Sequence, residues 1–529
     1  MTQSLRTPKH ASLVTQSGVP IISDPRICIP ICETTIESAQ DAIVRAAEVA
    51  DMVELRLDCL LPNELERVDE LQPLIEGLDL SLIVTLRPAG QGGTRDLDLA
   101  TRNRSWFGWP ESSRVWRDME LDLVRRRSDL SPAEADQLIC SYHDFAGTPK
   151  DIEHAYERLA ATPAKVLKLA TPAYDVADCV PLFNLLERAR QEKRELIAIA
   201  MGPTGLATRI LGPSRGAFLT FAALDQESAT ASGQLTVSEL RDLYGIGRIN
   251  AETQITGLIG LPIDHSVSPH IHNAALLSKN VNGVYLPFPV REVKSFLKCM
   301  VHPGTREIDW NIRGLSVTAP HKSTVMSSLD WIEPTAAELG AVNTIVVEGN
   351  QLHGYNTDIL GFVQTLVAAF GELGNSKCAV IGAGGAARAV VWGLKQTDTK
   401  ISVFGRDAGQ TKTLARELHV EGRSLTGARF NDFDVVINAT TLGTAGELES
   451  QTPANSEQLT GARLACDLVY NPQETLFLRE ARAAGCETLG GLPMLVRQAA
   501  QQFMLWTGRE APEQVMLRAA KAALSAGGE

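Results

Sequence analysis

The chain has 529 residues, room for roughly three or four domains, and its 44% hydrophobic and 21% charged content is that of globular proteins with real cores. Its net charge is −13 and its lysines and arginines are scattered, which argues against a nucleic-acid or anionic-membrane surface and leaves local positive clusters to serve small anions. No apolar run approaches the roughly 20 residues that span a bilayer.

The nine cysteines, at 28, 32, 59, 140, 179, 299, 378, 466 and 486, form an odd set without a CxxC pair. That pattern predicts neither a disulfide framework nor a zinc site, and hence a reducing, cytoplasmic compartment and no metal. Residues 1–24 read as a disordered tail. The first 23 residues lack Asp and Glu while carrying Arg6 and Lys9, which makes a plastid the alternative location.

From residue 27 to 224, eight short apolar runs recur: Ile27–Ile31, Val53–Leu57, Leu82–Leu86, Trp116–Leu121, Leu138–Tyr142, Val166–Leu169, Leu196–Met201 and Leu219–Leu224. The segments between them, such as Ile36–Ala50, place apolar residues at helical spacing, and strand-helix repetition implies a parallel sheet. Eight such units in about 225 residues predict a closed (β/α)8 barrel over 25–247, with an open doubly wound sheet as the competing reading.

Polar residues gather where these runs end: Glu54, Arg56, Asp58, Arg87, Glu120, His143, Lys168 and Arg209. Each alone is best read as a solvated strand end. As a set they mark the face where barrels build active sites. Lys168 sits inside Val166-Leu-Lys-Leu-Ala170, where an ammonium amid apolar neighbours is expensive. Desolvation frees a lysine amine to attack a carbonyl, and a nearby histidine such as His143 can then move a proton alpha to the imine.

Glu54-Leu-Arg-Leu-Asp58, Thr85-Leu-Arg87, Ser141-Tyr-His-Asp-Phe145, Val166-Leu-Lys-Leu-Ala170 and Met201-Gly-Pro-Thr-Gly-Leu-Ala-Thr-Arg209 resemble type I 3-dehydroquinate dehydratase in order, from about residue 25 to 245. The resemblance implies that Lys168 forms a Schiff base with the substrate ketone and that His143 shuttles the proton. It also implies that Arg209 grips the ring carboxylate with Arg56 and Arg87, beside Glu54 in the substrate site; a guanidinium suits a carboxylate bidentately. Thr230-Ala-Ser-Gly-Gln234 matches the family's lid loop with Ser232 in place of a proline, so Thr230 and Gln234 are expected over the substrate. Gln91 stands where the family usually has a glutamate paired with the histidine. That exchange leaves a non-catalytic, sensing or scaffold barrel as the alternative.

Texture changes at residues 245–256, and a new strand begins at Ile255. Gly260-Leu-Pro-Ile-Asp-His-Ser-Val-Ser-Pro269, Gly314-Leu-Ser-Val-Thr-Ala-Pro-His-Lys322, Gly340-Ala-Val-Asn-Thr344, Gly354-Tyr-Asn-Thr-Asp358 and Gly491-Leu-Pro-Met-Leu-Val-Arg-Gln498 follow. Together these resemble shikimate dehydrogenase over about 255 to 510. The resemblance implies a two-lobed α/β dehydrogenase: a substrate domain at 253–357, a Rossmann domain at 358–489, and helices at 490–529 returning to the substrate domain. Lys322 and Asp358 are the implied acid-base pair, and Ser266, Ser268, Thr318, Asn343, Tyr470 and Gln498 the implied substrate ligands. Ser316 replaces a common asparagine, with little effect expected. Quinate is the alternative alcohol to shikimate.

Ile381-Gly-Ala-Gly-Gly-Ala-Ala-Arg388 lies between a strand-like run and a helix-like one, as a dinucleotide loop does. Gly382, Ala383, Gly384, Gly385 and Ala386 are therefore expected against a pyrophosphate. By the resemblance, Asn438, Thr440 and Gly491 join them, and Arg406 receives a 2′-phosphate, making NADP the expected cofactor despite the neighbouring Asp407. A helix is predicted over Met494–Trp506 with Gly508 as its stop. The implied substrates are 3-dehydroquinate and 3-dehydroshikimate; the oligomeric state, a monomer included, is left open.

Overall fold

The computed structural model describes residues 25–78, 80–104, 114–127, 129–147, 151–231 and 233–526. The expected tail at 1–24 and Ser232 of the lid lie outside these residues. Eight parallel strands, β1 (Ile27–Ile31), β2 (Met52–Arg56), β3 (Ser81–Thr85), β4 (Val115–Glu120), β5 (Leu138–His143), β6 (Val166–Pro172), β7 (Glu195–Met201) and β8 (Thr220–Phe221), form one sheet ordered β7-β6-β5-β4-β3-β2-β1-β8. A bridge between Leu196 and Ala217, with the Phe218 N–H donating to the Leu196 carbonyl, brings the ends together, so the sheet is a nearly closed barrel.

The strands read as continuous apolar runs because both faces are covered. Cys28, Met52, Ile83, Ile139, Val166, Ile197 and Phe221 fill the barrel interior, while helices cover the outside. The helix Ile36–Ala47 shows how: Thr35 caps it by accepting from the Ser38 N–H, and Ile36, Ala39, Ala42, Ile43 and Ala46 form its buried stripe.

Cys32 and Cys59 are joined by a disulfide, which corrects the expectation of none and removes the premise for a reducing compartment. Strands β1 and β2 are neighbours in register, Ile31 opposite Leu55, so the segments leaving them bring the two cysteines to a Cα separation of 5.2 Å. Spacing along the chain carries no trace of that proximity.

The second sheet comprises β9 (Gln254–Gly260), β10 (Gly283–Pro289), β11 (Ile312–Val317), β12 (Trp331–Ile332), β13 (Thr344–Glu348) and β14 (Gln351–Tyr355), ordered β10-β9-β11-β13-β14-β12. The third comprises β15 (Lys377–Ile381), β16 (Lys400–Gly405), β17 (Glu421–Ser424), β18 (Val435–Asn438), β19 (Leu464–Asp467) and β20 (Glu487–Leu489), all parallel, ordered β17-β16-β15-β18-β19-β20. The chain order reverses at β15, which opens the crevice where such sheets bind ligands. The helix Leu492–Thr507 ends at Gly508 in the left-handed region and packs on Thr357–Phe370; Glu513–Ala526 packs on Ser268–Ser278.

One hydrophobic core runs without a break from the barrel into the second sheet, whereas the third sheet has cores of its own. Where barrel and second sheet meet, the rings of Phe183 and Trp310 lie 6.5 Å apart and Arg215 donates to the Asp309 carbonyl at 2.6 Å. Among the described residues, no helix is long and apolar enough to cross a membrane.

Candidate active sites

A cavity of about 490 Å³ opens at the C-terminal ends of the barrel strands, lined by Glu54, Arg56, Arg87, Gln91, His143, Lys168, Arg209, Thr230 and Gln234. Every barrel residue singled out from sequence for catalysis or substrate binding faces this one space. The lid turn is held shut on itself, since the Thr230 N–H and hydroxyl both donate to Gln234 Oε1. Gly233 permits its approach: it has φ +72°, and a Cβ there would lie 2.6 Å from the Gly202 backbone.

Lys168 is buried, but not among apolar groups alone. Its Nζ donates to Asp118 Oδ2 at 2.8 Å and Glu54 Oε1 at 3.3 Å, and lies 4.6 Å from the centre of the Phe221 ring. The cost of burying this ammonium, which sequence assigned to chemistry alone, is thus largely offset by two carboxylates. Asp118 is shared, because Arg87 donates to the same oxygen at 2.6 Å. Burial by itself would raise the Asp118 carboxyl; the charges of Arg87 and Lys168 override it and hold the group well below the usual carboxylate range.

Arg87 also donates to Glu120 at 3.0 Å and Ser141 at 2.6 Å, so both terminal nitrogens of its guanidinium are committed to the protein. Arg56 is held in a two-pronged pair by Asp58, at 2.9 and 2.8 Å. The two guanidiniums expected to share the grip on a carboxylate thus already have acidic partners within the protein. Arg209 differs. It is buried, has no ion pair among the described residues, keeps Nε unpartnered, and burial pulls it down to about 10. A buried cation without an anion is a receptor for one.

Burial, reinforced by the charges of Arg87 and Lys168, pushes His143 well below its ordinary value, so the imidazole is neutral and able to accept a proton. Its Nδ1 and the Oε1 of Gln91 are both buried without a partner among the described residues. Gln91 lines the cavity but forms no hydrogen bond with His143 among the described residues.

The second site lies between the second and third sheets, as two cavities of about 290 and 610 Å³ that share Thr318, Lys322, Asp358, Tyr470 and Gln498 in their walls. The smaller adds Ser266, Ser268 and Asn343. Lys322 Nζ donates to Asp358 Oδ2 at 2.7 Å, with the lysine about one-third exposed toward the cleft. Asp358 opens the helix Thr357–Phe370, capped by the side chain of Asn356. The Asn343 amide is used within the wall: Nδ2 donates to Thr357 Oγ1, and Oδ1 accepts from the Thr357 N–H and the Thr344 hydroxyl.

Behind this wall runs a buried relay. Tyr285 Oη donates to Ser316 Oγ, Ser316 to Gln502 Oε1, and Gln502 Nε2 to Thr344 Oγ1 and the Asn343 carbonyl. Ser316 is the centre of that relay and lines the cavity, a larger part than its expected minor effect. His272 stacks on Tyr285 at 4.3 Å, and burial pushes it down to about 3, so it is a neutral packing ring.

The larger cavity reaches the glycine loop at Gly385 and Ala386 and touches Gly491. Gly382 has φ +129°, and a Cβ there would lie 2.9 Å from the Ala439 carbonyl, so no other residue allows this turn. Cβ atoms at Gly384 and Gly385 would meet nothing within 4 Å, and the helix Gly385–Leu394 has no side-chain cap. That open cradle over free N–H groups fits a dinucleotide pyrophosphate. Arg406 is exposed just past β16, and Asp407 accepts from the Gln410 N–H as the next helix's cap. Asn438 is fully buried, donating to the Leu442 carbonyl and Asp467 and accepting from Thr440, so its side chain shapes the loop.

Sequence reading missed Asp118, Gln502 and Tyr174. Asp118 lay within the run Trp116–Leu121, read as apolar. Gln502 follows Gln498 by one helical turn on the same face, a spacing that could have flagged it.

Residues 27–251 match the sequence profile of type I 3-dehydroquinase, 258–345 that of the shikimate dehydrogenase substrate binding domain, and 491–521 that of the shikimate 5′-dehydrogenase C-terminal domain. A chloroplastic bifunctional 3-dehydroquinate dehydratase/shikimate dehydrogenase of Arabidopsis thaliana is 32% identical over 521 residues, covering 94% of this chain and 84% of its own. A shikimate dehydrogenase (NADP(+)) of Desulforamulus reducens is 42% identical over 282 residues, 51% of this chain and 95% of that one. Among solved structures, shikimate 5-dehydrogenase of Thermus thermophilus in complex with NADP(H) and shikimate is similar at a TM-score of 0.47 and 36% identity, covering 51% of this chain and 100% of that one.

Proposed function

The chain belongs to the family of bifunctional 3-dehydroquinate dehydratases/shikimate dehydrogenases, and on that premise we propose how its own residues divide the chemistry. The barrel dehydrates 3-dehydroquinate to 3-dehydroshikimate, and the second half reduces 3-dehydroshikimate to shikimate with NADPH.

In the barrel, the substrate carboxylate pairs with Arg209, which fixes the ring over Lys168. The Lys168 amine adds to the ketone and expels water to form an imine. His143, neutral at the outset, takes the proton from the carbon alpha to the imine; the hydroxyl on the next carbon leaves, carrying that proton away as water. Hydrolysis of the imine consumes one water and releases the enone and the free amine. Asp118 stays anionic throughout and steadies the charges of Lys168 and Arg87. Thr230 and Gln234 cover the ring.

In the second site, NADPH when bound supplies the hydride. Gly382 to Ala386 would hold its pyrophosphate, and Arg406 its 2′-phosphate. Lys322 gives a proton to the ketone oxygen, and Asp358, 2.7 Å from Nζ, holds the ammonium in place. Ser266, Ser268, Asn343, Tyr470 and Gln498 line the ring pocket, which joins the cofactor cleft through the walls they share.

The observation carrying this reading is that Arg209, which has no acidic partner among the described residues, lines the same cavity as Lys168 and His143. The purified chain given 3-dehydroquinate and NADPH should consume NADPH with no other addition. Consumption only after 3-dehydroshikimate is supplied would make the barrel a non-catalytic module.

A further inference from the structure

Strand β6, which carries Lys168, ends against the other half of the chain. Past Pro172 the backbone turns tightly: the N–H groups of Tyr174 and Asp175 both donate to Asp178 Oδ2, at 2.8 and 3.0 Å, and Asp175 Oδ1 accepts from the Ala177 N–H at 3.1 Å. The outer edge of this turn is bound from across the interface. Asp175 Oδ2 accepts from the backbone N–H groups of Arg291 and Glu292, at 2.8 and 3.1 Å, and Arg291 Nε donates to the Tyr174 carbonyl at 3.1 Å. Tyr174 is therefore fixed through both its N–H and its carbonyl.

The Tyr174 side chain projects from this fixed backbone. It is 59% exposed, yet it lines the barrel cavity together with His143 and Lys168. It also covers Gly147, where a Cβ would lie 3.5 Å from the ring's Cε2. Gly147 follows His143 and Phe145 on the β5 loop, so the ring spans the mouth from the β6 loop to the β5 loop. An aromatic ring that remains largely in water at a cavity rim, on a backbone tied down at both ends, is placed to contact what enters.

The anchor itself grows from the second site. Arg291 follows Val290, whose carbonyl accepts from His321 Nε2 at 2.8 Å, and His321 precedes Lys322 in the chain.

We infer that Tyr174 is a positioning residue for dehydration, presenting its ring and phenol to the polyhydroxylated substrate ring, and that the dehydrogenase half holds it there through Arg291 and Asp175. This rests on the barrel cavity being the dehydration site. The two halves are then coupled structurally at the first site's rim, beyond being two enzymes on one chain.

The test uses the full chain as wild type, Tyr174→Ala, Arg291→Ala and the double variant, each assayed for dehydration and, separately, for reduction of 3-dehydroshikimate. Tyr174→Ala should raise the dehydration KM about three- to tenfold, and Arg291→Ala about two- to fivefold, with kcat within about twofold of wild type, the scale of one hydrogen bond or a partial ring contact. In the Tyr174→Ala background, Arg291→Ala should add nothing. Reduction should be unchanged in all four, which also reports that the variants are folded. An unchanged KM in Tyr174→Ala overturns the inference. So does a full Arg291→Ala effect that persists without the tyrosine, because the arginine would then act by another route. A wild-type chain that reduces 3-dehydroshikimate but does not dehydrate would remove the barrel reading first and this inference with it.

Discussion

Asp118 Oδ2 lies 2.8 Å from Lys168 Nζ and 2.6 Å from Arg87 Nη2, one carboxylate oxygen serving two buried cations. Burying two cations this close together requires an anion between them. A carboxylate held in the ionised state by its two neighbours meets that need.

Replacing Asp118 with asparagine would leave Lys168 and Arg87 close together without their shared anion. Chemical denaturation of Asp118→Asn should show a loss of about 3–5 kcal/mol, the usual cost of removing one member of a buried ionic cluster. A loss below about 1 kcal/mol would mean that Glu54 and Glu120 carry the pairing without it.

Sodium borohydride added with 3-dehydroquinate should reduce the imine and leave a covalent adduct at Lys168, read by peptide mass spectrometry. Lys168→Ala should carry none. An adduct elsewhere, or none in folded wild-type protein, would sink the imine route.

His143 sits well below 6.5, chiefly through burial and then through Arg87 and Lys168. It is therefore neutral at pH 6.5 and for some distance below, so the acid limb of dehydratase kcat/KM that it sets is expected well under pH 6.5. A carboxylate in place of Gln91 would favour the imidazolium, and Gln91→Glu should move that limb upward. A stationary limb would show that position 91 does not sense His143. The same depression has a stability consequence. As pH falls below 6.5 the unfolded chain gains a proton at this histidine that the folded chain does not, so folding weakens in that direction.

Arg406→Ala should raise the KM for NADPH by about tenfold or more, the loss of a charge-assisted contact, while leaving the KM for NADH within about twofold. Equal losses with both nucleotides would place the 2′-phosphate elsewhere.

The strands were legible because a barrel strand covered on both faces is a short continuous apolar run, and their chemistry was legible because charged residues collect where those runs end. β8 is shorter than the run Leu219–Leu224, since past Phe221 the chain leaves β1 and Ala223 pairs instead with the segment around Thr236. What sequence could not supply was partnership over distance. Asp118 meets Arg87 and Lys168 across 31 and 50 residues of chain, and Cys32 meets Cys59 because two strands happen to be neighbours in register. Arg87 shows the same limit: a guanidinium at a strand end is legible in sequence, while its partners Asp118 and Glu120 are not.

The unbroken core from the barrel into the second sheet means that the boundaries of cooperative melting do not follow the boundaries of catalysis. The first enzyme and the substrate-holding part of the second share one hydrophobic mass, with Phe183 against Trp310 near the seam; the nucleotide sheet stands on its own clusters. Calorimetry should accordingly resolve a transition sensitive to nucleotide, belonging to the third sheet, from one in which both substrate pockets are lost together. Heat would then dismantle this chain along a line drawn through the middle of one of its enzymes.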